Sequence, residues 1–235
     1  MIYKNVIVIP TYNEKENIKI LIPMIFKLLP DISVIVADDN SPDGTAFIVD
    51  EFRKEYSNLS IIFRKEKKGL AKAYINVFLQ VLEDKDIKSI IMLDADFASQ
   101  LQYLPEMIKK SEHYGVVIGS RHTRGSKMIG SKLSRRILSF FGNLYYKMIL
   151  RIPIHDYSCD FMVISMDLIR KIDLLKINAK GYAFVPELKY LLYKAGATFF
   201  EVPIIFIERT KGESKISSYI ILENIFNPWK IIFRK

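Results

Sequence analysis

Cysteine is almost missing from this chain: Cys159 stands alone among 235 residues, which excludes an internal disulfide. With three histidines besides, the sequence holds no Cys/His cluster of the kind that binds a structural metal. Long apolar runs are missing too. None approaches the roughly 18 to 20 residues that a membrane span needs. The opening, MIYKNVIVIP, runs straight into a strand pattern and lacks the charged, apolar and small-residue regions of a signal peptide. The expectation is therefore a protein that is soluble or lies on the cytoplasmic face of a membrane without crossing it. No G-x-G-x-x-G follows the first strand and no P-loop occurs, which disfavours a dinucleotide cofactor and a kinase-like mechanism. Internal repeats and low-complexity tracts are absent as well.

Acidic charge is in deficit. The formal net charge is +9 and the pI about 9.4, a balance that favours anionic partners such as nucleic acid, acidic headgroups or phosphorylated substrates. No nucleic-acid recognition module accompanies the charge, so nucleic acid is not expected. Half of the residues are hydrophobic, enough for a sizeable core in one domain with an appended segment.

The first two-thirds of the chain alternates strand and helix signals. Strands are predicted at Asn5 to Ile9, Ser33 to Ala37, Leu59 to Phe63, Ile90 to Leu93 and Val116 to Ile118. Helices are predicted from Asn13, as a cap, through Leu29, and then over Thr45 to Tyr56, Gly69 to Glu83 and Leu104 to Tyr114. This alternation implies a mostly parallel α/β sheet flanked by helices. Further on, Leu133, Ile137, Phe140, Phe141, Leu144, Tyr145 and Met148 recur at helical period between Leu133 and Leu150. That stripe fits either a core face or, with Lys132, Arg135, Arg136, Lys147 and Arg151 beside it, a helix lying on a membrane surface. A short strand at Met162 to Ile164, a helix from Pro186 to Ala195 and a strand pair over Phe199 to Ile207 complete the reading.

Three strands end in polar or acidic groups: Pro10-Thr11-Tyr12-Asn13-Glu14, Asp38-Asp39 and Asp94-Ala95-Asp96. In a parallel sheet these ends share the edge where ligands bind. Carboxylates there suit ribose and base hydrogen bonds. Asp-x-Asp spacing lets hard oxygens share a divalent cation with phosphates. Asp38 reads as a turn cap, His155 as structural and Cys159 as packing.

IPTYNEKENI, VADDNSPDGT, GLAKAY, LDADFAS, IGSR, HDYSCDFMV, GYAFVPEL and EVPIIFIERTKGESKIS occur in this order. In order and spacing the chain resembles the dolichol-phosphate mannose synthases, inverting family-two glycosyltransferases with the GT-A fold. The resemblance implies a GT-A domain over 1–217; within it the apolar stripe and its cations leave 133–151 as either a membrane-surface helix or a core face, and 218–235 reads from its residues as an amphipathic tail. It implies transfer of a hexose, mannose from GDP-mannose, to a polyprenyl or dolichyl phosphate with Mg2+ or Mn2+. It also allows a membrane-anchoring partner.

Pro10, Tyr12, Glu14, Ala37 and Asp39 are then the base and ribose contacts. Asp94, Ala95 and Asp96 meet ribose, diphosphate and metal, with Asp94 and Asp96 as metal ligands. Arg209 and Lys215 face the diphosphate, and Arg121, Arg135 and Ser139 the acceptor phosphate. Asp96, Arg121 and Arg209 lie nearest the chemistry. The chain departs from the family at Ala98, where a polar residue is usual, at Gln100 and Leu101, at Asp160-Phe161-Met162 in place of G-F-R, and at Val185. Another donor, such as UDP-glucose, or a non-catalytic binding role stays open on these grounds.

Overall fold

The computed structural model describes residues 4–65, 69–98, 100–179, 181–208 and 218–233, with side chains of the last segment described from 225 onward. Arg209 and Lys215 lie outside the described residues.

A seven-stranded sheet organises the chain. β1 (Lys4–Thr11) pairs in parallel with β2 (Ser33–Asp38) on one side and β4 (Ile87–Met92) on the other. β3 (Leu59–Phe63) lies beyond β2, also parallel. On the far side of β4 comes β7 (Met162–Ser165), antiparallel to it, then β5 (Val116–Ser120), antiparallel to β7, and β8 (Phe199–Pro203), parallel to β5. The order is β3-β2-β1-β4-β7-β5-β8, and only β7 is reversed. The carboxyl ends of six strands and the start of β7 therefore share one edge.

The strands are buried on both faces, which is why they read as continuous apolar runs and not as alternation. Val6 to Ile9, Ile90 to Leu93 and Val116 to Ile118 are almost wholly inaccessible. α1 (Lys15–Leu28), α2 (Thr45–Phe52), α3 (Leu70–Val81), α4 (Leu104–Lys110), α6 (Met166–Ile169) and α7 (Phe184–Lys194) supply the cover. α1 shows the logic at residue level. Ile18, Leu21, Ile22 and Ile25 fall one turn apart and are buried, while Ile20 and Met24 face outward.

The structure moves several expected boundaries. β1 runs two residues past Ile9, because Pro10 and Thr11 still pair with Ala37 and Asp38 of β2. Pairing with β4 has stopped at Val8, so the N–H that Pro10 lacks is not needed there. Asn13 does not cap α1. It sits at φ 60, and the N-cap position is Glu14, with no side-chain cap bond. The β2–α2 turn caps from outside: the N–H groups of Asn13, Glu14 and Lys15 donate to Ser41 Oγ (3.0 Å), Thr45 Oγ1 (3.1 Å) and Asp43 Oδ2 (3.1 Å). The expected strand pair over Phe199 to Ile207 is two strands in different sheets. β8 belongs to the main sheet, while β9 (Ile205–Ile207) pairs in parallel with β6 (Lys127–Ile129) in a two-stranded ribbon.

α5 (Leu133–Leu150) has the expected limits but presents its apolar stripe outward. Its buried positions are Asn143, Tyr146 and Leu150. Leu133, Ile137, Leu138, Phe140, Phe141, Leu144 and Met148 are exposed. α8 (Ser218–Phe233) packs on α5 and α7. Tyr145 Oη donates to the Ile225 carbonyl at 2.7 Å and accepts from Trp229 Nε1 at 2.8 Å. Among the described residues no helix is long and apolar enough to cross a membrane.

Candidate functional site

The polar strand ends converge at the shared edge, and local strain marks the place. Asn13, Asn40 and Phe97, three of the four non-glycine residues with positive φ among the described residues, sit in the loops after β1, β2 and β4. Such conformations persist only where surrounding contacts enforce them. Phe97 is enforced by its neighbours: Asp96 Oδ1 accepts the Ala98 N–H at 2.9 Å, closing a tight turn below Asp94-Ala95-Asp96.

The nucleoside side of the edge is preorganised. Asp38 is fully buried and holds the turn, accepting from Thr11 Oγ1 (2.9 Å), Ser41 N (2.9 Å) and Ser41 Oγ (2.6 Å). Asp39, next to it, is buried against Arg64, whose guanidinium donates to its carboxylate. The Arg64 backbone N–H also donates to the Asp38 carbonyl at 2.9 Å, so the first residue after β3 is tied to the end of β2. Ala37 is inaccessible, Pro10 and Glu14 are half-buried and Tyr12 is exposed. Glu14 accepts from Asn17 Nδ2 at 2.6 Å. Pro10, Tyr12, Glu14, Asp39, Asp94 and Asp96 thus stand on neighbouring strand ends. Arg64 is a member that sequence reasoning missed, because its link to Asp39 spans two strands.

A second missed member is Asp160. The β4–β7 register pairs Met92 with Met162, so two residues further on Asp94 stands opposite Asp160. Opposed residues of an antiparallel pair have Cβ atoms about 4.5–5.5 Å apart. The two carboxyl groups share a hydrogen bond. Burial raises the Asp160 pKa, as does the charge of Asp96, and the bond to Asp94 only partly opposes this. Asp160 Oδ2 is buried without a hydrogen-bond partner. So is the Tyr74 hydroxyl, raised in pKa by burial and then by the nearby charges of Asp94 and Asp160. Carboxylate oxygens such as those of Asp94 and Asp96 are the donor type a hard divalent cation takes, but among the described residues no three acidic, histidine or cysteine groups are placed to hold one.

The segment before Asp160 is clamped. Fully buried Lys189 donates Nζ to the carbonyls of Asp156 (2.8 Å), Tyr157 (3.3 Å) and Cys159 (2.6 Å). The Asp156 carboxylate accepts from the Arg121 backbone N–H (2.9 Å), Nε (2.8 Å) and Nη2 (2.8 Å), and from the N–H groups of Ser158 and Cys159. Burial works to raise the Asp156 pKa, but the Arg121 guanidinium outweighs it and holds the carboxyl well below the usual range. Glu201 accepts from His155 and Asp156, giving His155 the structural place expected of it. Burial pushes the Cys159 thiol up to about 12, so it packs and does not react.

Among the residues expected at the acceptor, Arg121 spends Nε and Nη2 on Asp156 and Ser158 and lies 5.3 Å over the Phe206 ring. Ser139 and Arg135 are one turn apart on α5. Ser139 Oγ lies 3.0 Å from His122 Nε2, which joins α5 to the end of β5. Burial lowers the His122 pKa and so favours its neutral form. Arg135 pairs with Glu208, the residue after β9. Met162 and Val185 are fully buried, so two of the departures noted in the sequence concern internal packing. An open cleft of about 560 Å³ lies at the opposite sheet edge, away from the carboxylates, and a second of about 570 Å³ lies outside β3 and α3 and reaches Arg64, the partner of Asp39.

An undecaprenyl-phosphate mannosyltransferase of Micrococcus luteus is 35% identical over 220 residues, covering 94% of this chain and 90% of that protein. A polyprenol monophosphomannose synthase of Mycolicibacterium smegmatis is 31% identical over 225 residues, covering 95% of this chain and 84% of that protein. Among solved structures, glucosyl-3-phosphoglycerate synthase from Mycobacterium tuberculosis, in complex with Mn2+ and UDP-glucose, superposes with a TM-score of 0.65 at 15% identity. The match covers 96% of this chain and 79% of that one, and establishes the GT-A fold. The model of glycosyl transferase family 2 matches residues 6–173. With that match across most of the chain and these relatives over nearly all of it, the chain belongs to glycosyl transferase family 2 and is a glycosyltransferase.

Proposed function

We propose that the chain transfers mannose from GDP-mannose to a polyprenyl phosphate, with inversion, at a membrane surface. The observation that carries the reading is one juxtaposition: the carboxylate edge of the sheet is joined, through His122 and Ser139, to a helix whose exposed face is apolar and flanked by cations. The names of the relatives at 31–35% identity support mannose and a polyprenyl phosphate.

In this reading Pro10, Tyr12, Glu14, Ala37 and Asp39 hold the nucleoside, with Arg64 fixing the Asp39 carboxylate. Asp94 and Asp96 hold a Mg2+ or Mn2+ ion, which when bound draws off charge that builds on the leaving diphosphate. Arg209 and Lys215, outside the described residues, neutralise the same group. Arg135 and Ser139 bind the acceptor phosphate, and Arg121 keeps that corner of the sheet edge in shape. An acceptor phosphate oxygen forms the new bond to the anomeric carbon as the bond to the diphosphate breaks, and its electron pair leaves with GDP. The nucleophile is already anionic, so no side chain has to remove a proton. Positioning is the protein's main contribution.

α5 and α8 supply the surface. Phe140, Phe141, Leu144 and Met148 of α5, and Phe226, Trp229 and Phe233 of α8, are exposed beside Lys132, Arg136 and Lys147. Aromatic and aliphatic groups flanked by cations suit an anionic bilayer interface. The acceptor's lipid tail would lie in that interface while its phosphate reaches Arg135 and Ser139.

The test is a donor panel. Purified protein, polyprenyl phosphate and Mn2+ should release nucleoside diphosphate from GDP-mannose, and Asp96→Ala should lower the rate at least 100-fold. No release above the Asp96→Ala control with any donor would refute turnover. Release from UDP-glucose alone would support the other donor, and binding without release a non-catalytic role.

A further inference from the structure

We infer that Glu208 sets the affinity of the acceptor site: its carboxylate takes the place of the acceptor phosphate on Arg135 and gives way when that phosphate binds. This rests on the acceptor contacts of the proposed function and adds the residue that competes for them.

The start of α5 is built to attract an anion. It carries Arg135 and Arg136, follows Lys132, holds no acid in its first turn, and has no side-chain cap bond. Cations at this end oppose the helix dipole, and the N–H groups of the turn add to their pull on a negative group. In this structure the negative group is Glu208, brought from another element. Gly130, Ser131 and Lys132 alone separate β6 from α5, and Gly130, at φ 80, turns the chain beside Glu208. The Glu208 N–H donates to the Ile129 carbonyl at 3.0 Å. The ribbon itself is tied down where the Lys127 N–H donates to the Ile204 carbonyl (3.1 Å) and the Ile205 N–H to Tyr103 Oη (3.0 Å). The backbone of Glu208 is thus fixed, and rotation of its side chain is enough to uncover Arg135.

The contact has the marks of a placeholder. Arg135 Nη1 donates to Glu208 Oε1, while Oε2 is buried with no hydrogen-bond partner among the described residues. A two-point guanidinium–carboxylate fork would satisfy both oxygens, and this pair does not form one. The two side chains are 43% and 20% exposed. Ion pairs open to solvent shift an equilibrium by a factor of up to about five. A phosphate monoester offers three oxygens and more charge. It can take two N–H groups of Arg135 and the Ser139 hydroxyl, one turn along the same helix. The exchange therefore favours the acceptor, at an apparent affinity lowered by the share of protein in which Glu208 holds Arg135.

Farnesyl phosphate below its micelle threshold is the probe, titrated calorimetrically with farnesol as the control that lacks the phosphate. Glu208→Gln should bind farnesyl phosphate about threefold more tightly, a gain of the size that an exposed pair supplies. The acceptor KM should fall while the KM for GDP-mannose stays within about twofold. In an Arg135→Ala background the same change should alter affinity by less than about 1.5-fold, because the competing contact is already gone. Glu208→Leu gives the same reading should the glutamine variant fold poorly. An equal gain in both backgrounds would mark a general charge effect and overturn the inference, as would unchanged or weaker binding by Glu208→Gln and Glu208→Leu. A loss of at least about tenfold in Arg135→Ala alone would leave the acceptor reading standing in either case. Unchanged affinity in Arg135→Ala, or farnesol binding as tightly as farnesyl phosphate, would overturn both.

Discussion

Exchanging Asp156 for asparagine removes one charge with almost no change of shape, so its effect isolates electrostatics from packing. The carboxylate is inaccessible and faces Arg121, which is 15% exposed. It accepts three bonds from Arg121 and two from backbone N–H groups. Breaking a buried ion pair from one side costs about 3–5 kcal/mol, since the partner is left uncompensated. At roughly 2–4 °C per kcal/mol for a chain of this size, the melting temperature should fall by about 6–20 °C. The loss also depends on pH. The folded carboxyl titrates below its ordinary range, so the unfolded chain binds the proton first as pH falls. The stability that Asp156 contributes is complete above its unfolded pKa of about 3.9 and disappears as pH drops through the folded value. Calorimetry from pH 7 to pH 3 should therefore show the gap between the two proteins narrowing toward acid. The double variant Arg121→Met, Asp156→Leu should lose less stability than the two single changes added together, as contacting partners do. A melting shift under 2 °C, or additive losses, would refute the frame described for the 155–160 segment.

Arg64→Ala removes the guanidinium that pairs with buried Asp39. Titration calorimetry should show nucleoside diphosphate affinity at least tenfold lower and differential scanning a drop of several degrees; unchanged values in both would remove Arg64 from the site. On α5, Phe140→Ser with Phe141→Ser alters exposed residues, so stability should move by less than about 0.5 kcal/mol. Each lost phenyl group removes about 1.5–3 kcal/mol of burial in the interface, so binding to anionic vesicles should fall at least tenfold. Charge reversal at Lys132 and Arg136 should weaken it further, and unchanged co-sedimentation would count against the surface. Cys159, buried and with its thiol pushed up to about 12, should resist a thiol-specific disulfide reagent at pH 8 until the protein is unfolded. Rapid labelling of the folded protein would contradict its placement.

Sequence alone determined the alternation of strands and helices, the carboxylates at strand ends and the limits of α5. Those signals are local: apolar runs, breakers such as Pro10 and Gly44, and a helical period that repeats within a few residues. The stripe on α5 was equally plain, but periodicity states only that a face is apolar, not what it meets. Tertiary structure decided that Asn143, Tyr146 and Leu150 face inward and that Phe140 and Phe141 do not. It decided the capping of α1 too, because Ser41, Asp43 and Thr45 reach it from 28 to 31 residues away. Arg64 beside Asp39 and Lys189 beneath the 156–159 carbonyls are pairings of the same distant kind. Asp160 is the sharpest case. In the chain it is an acid after a cysteine, 64 residues beyond Asp96. Only the reversal of β7 between β4 and β5 sets it against Asp94.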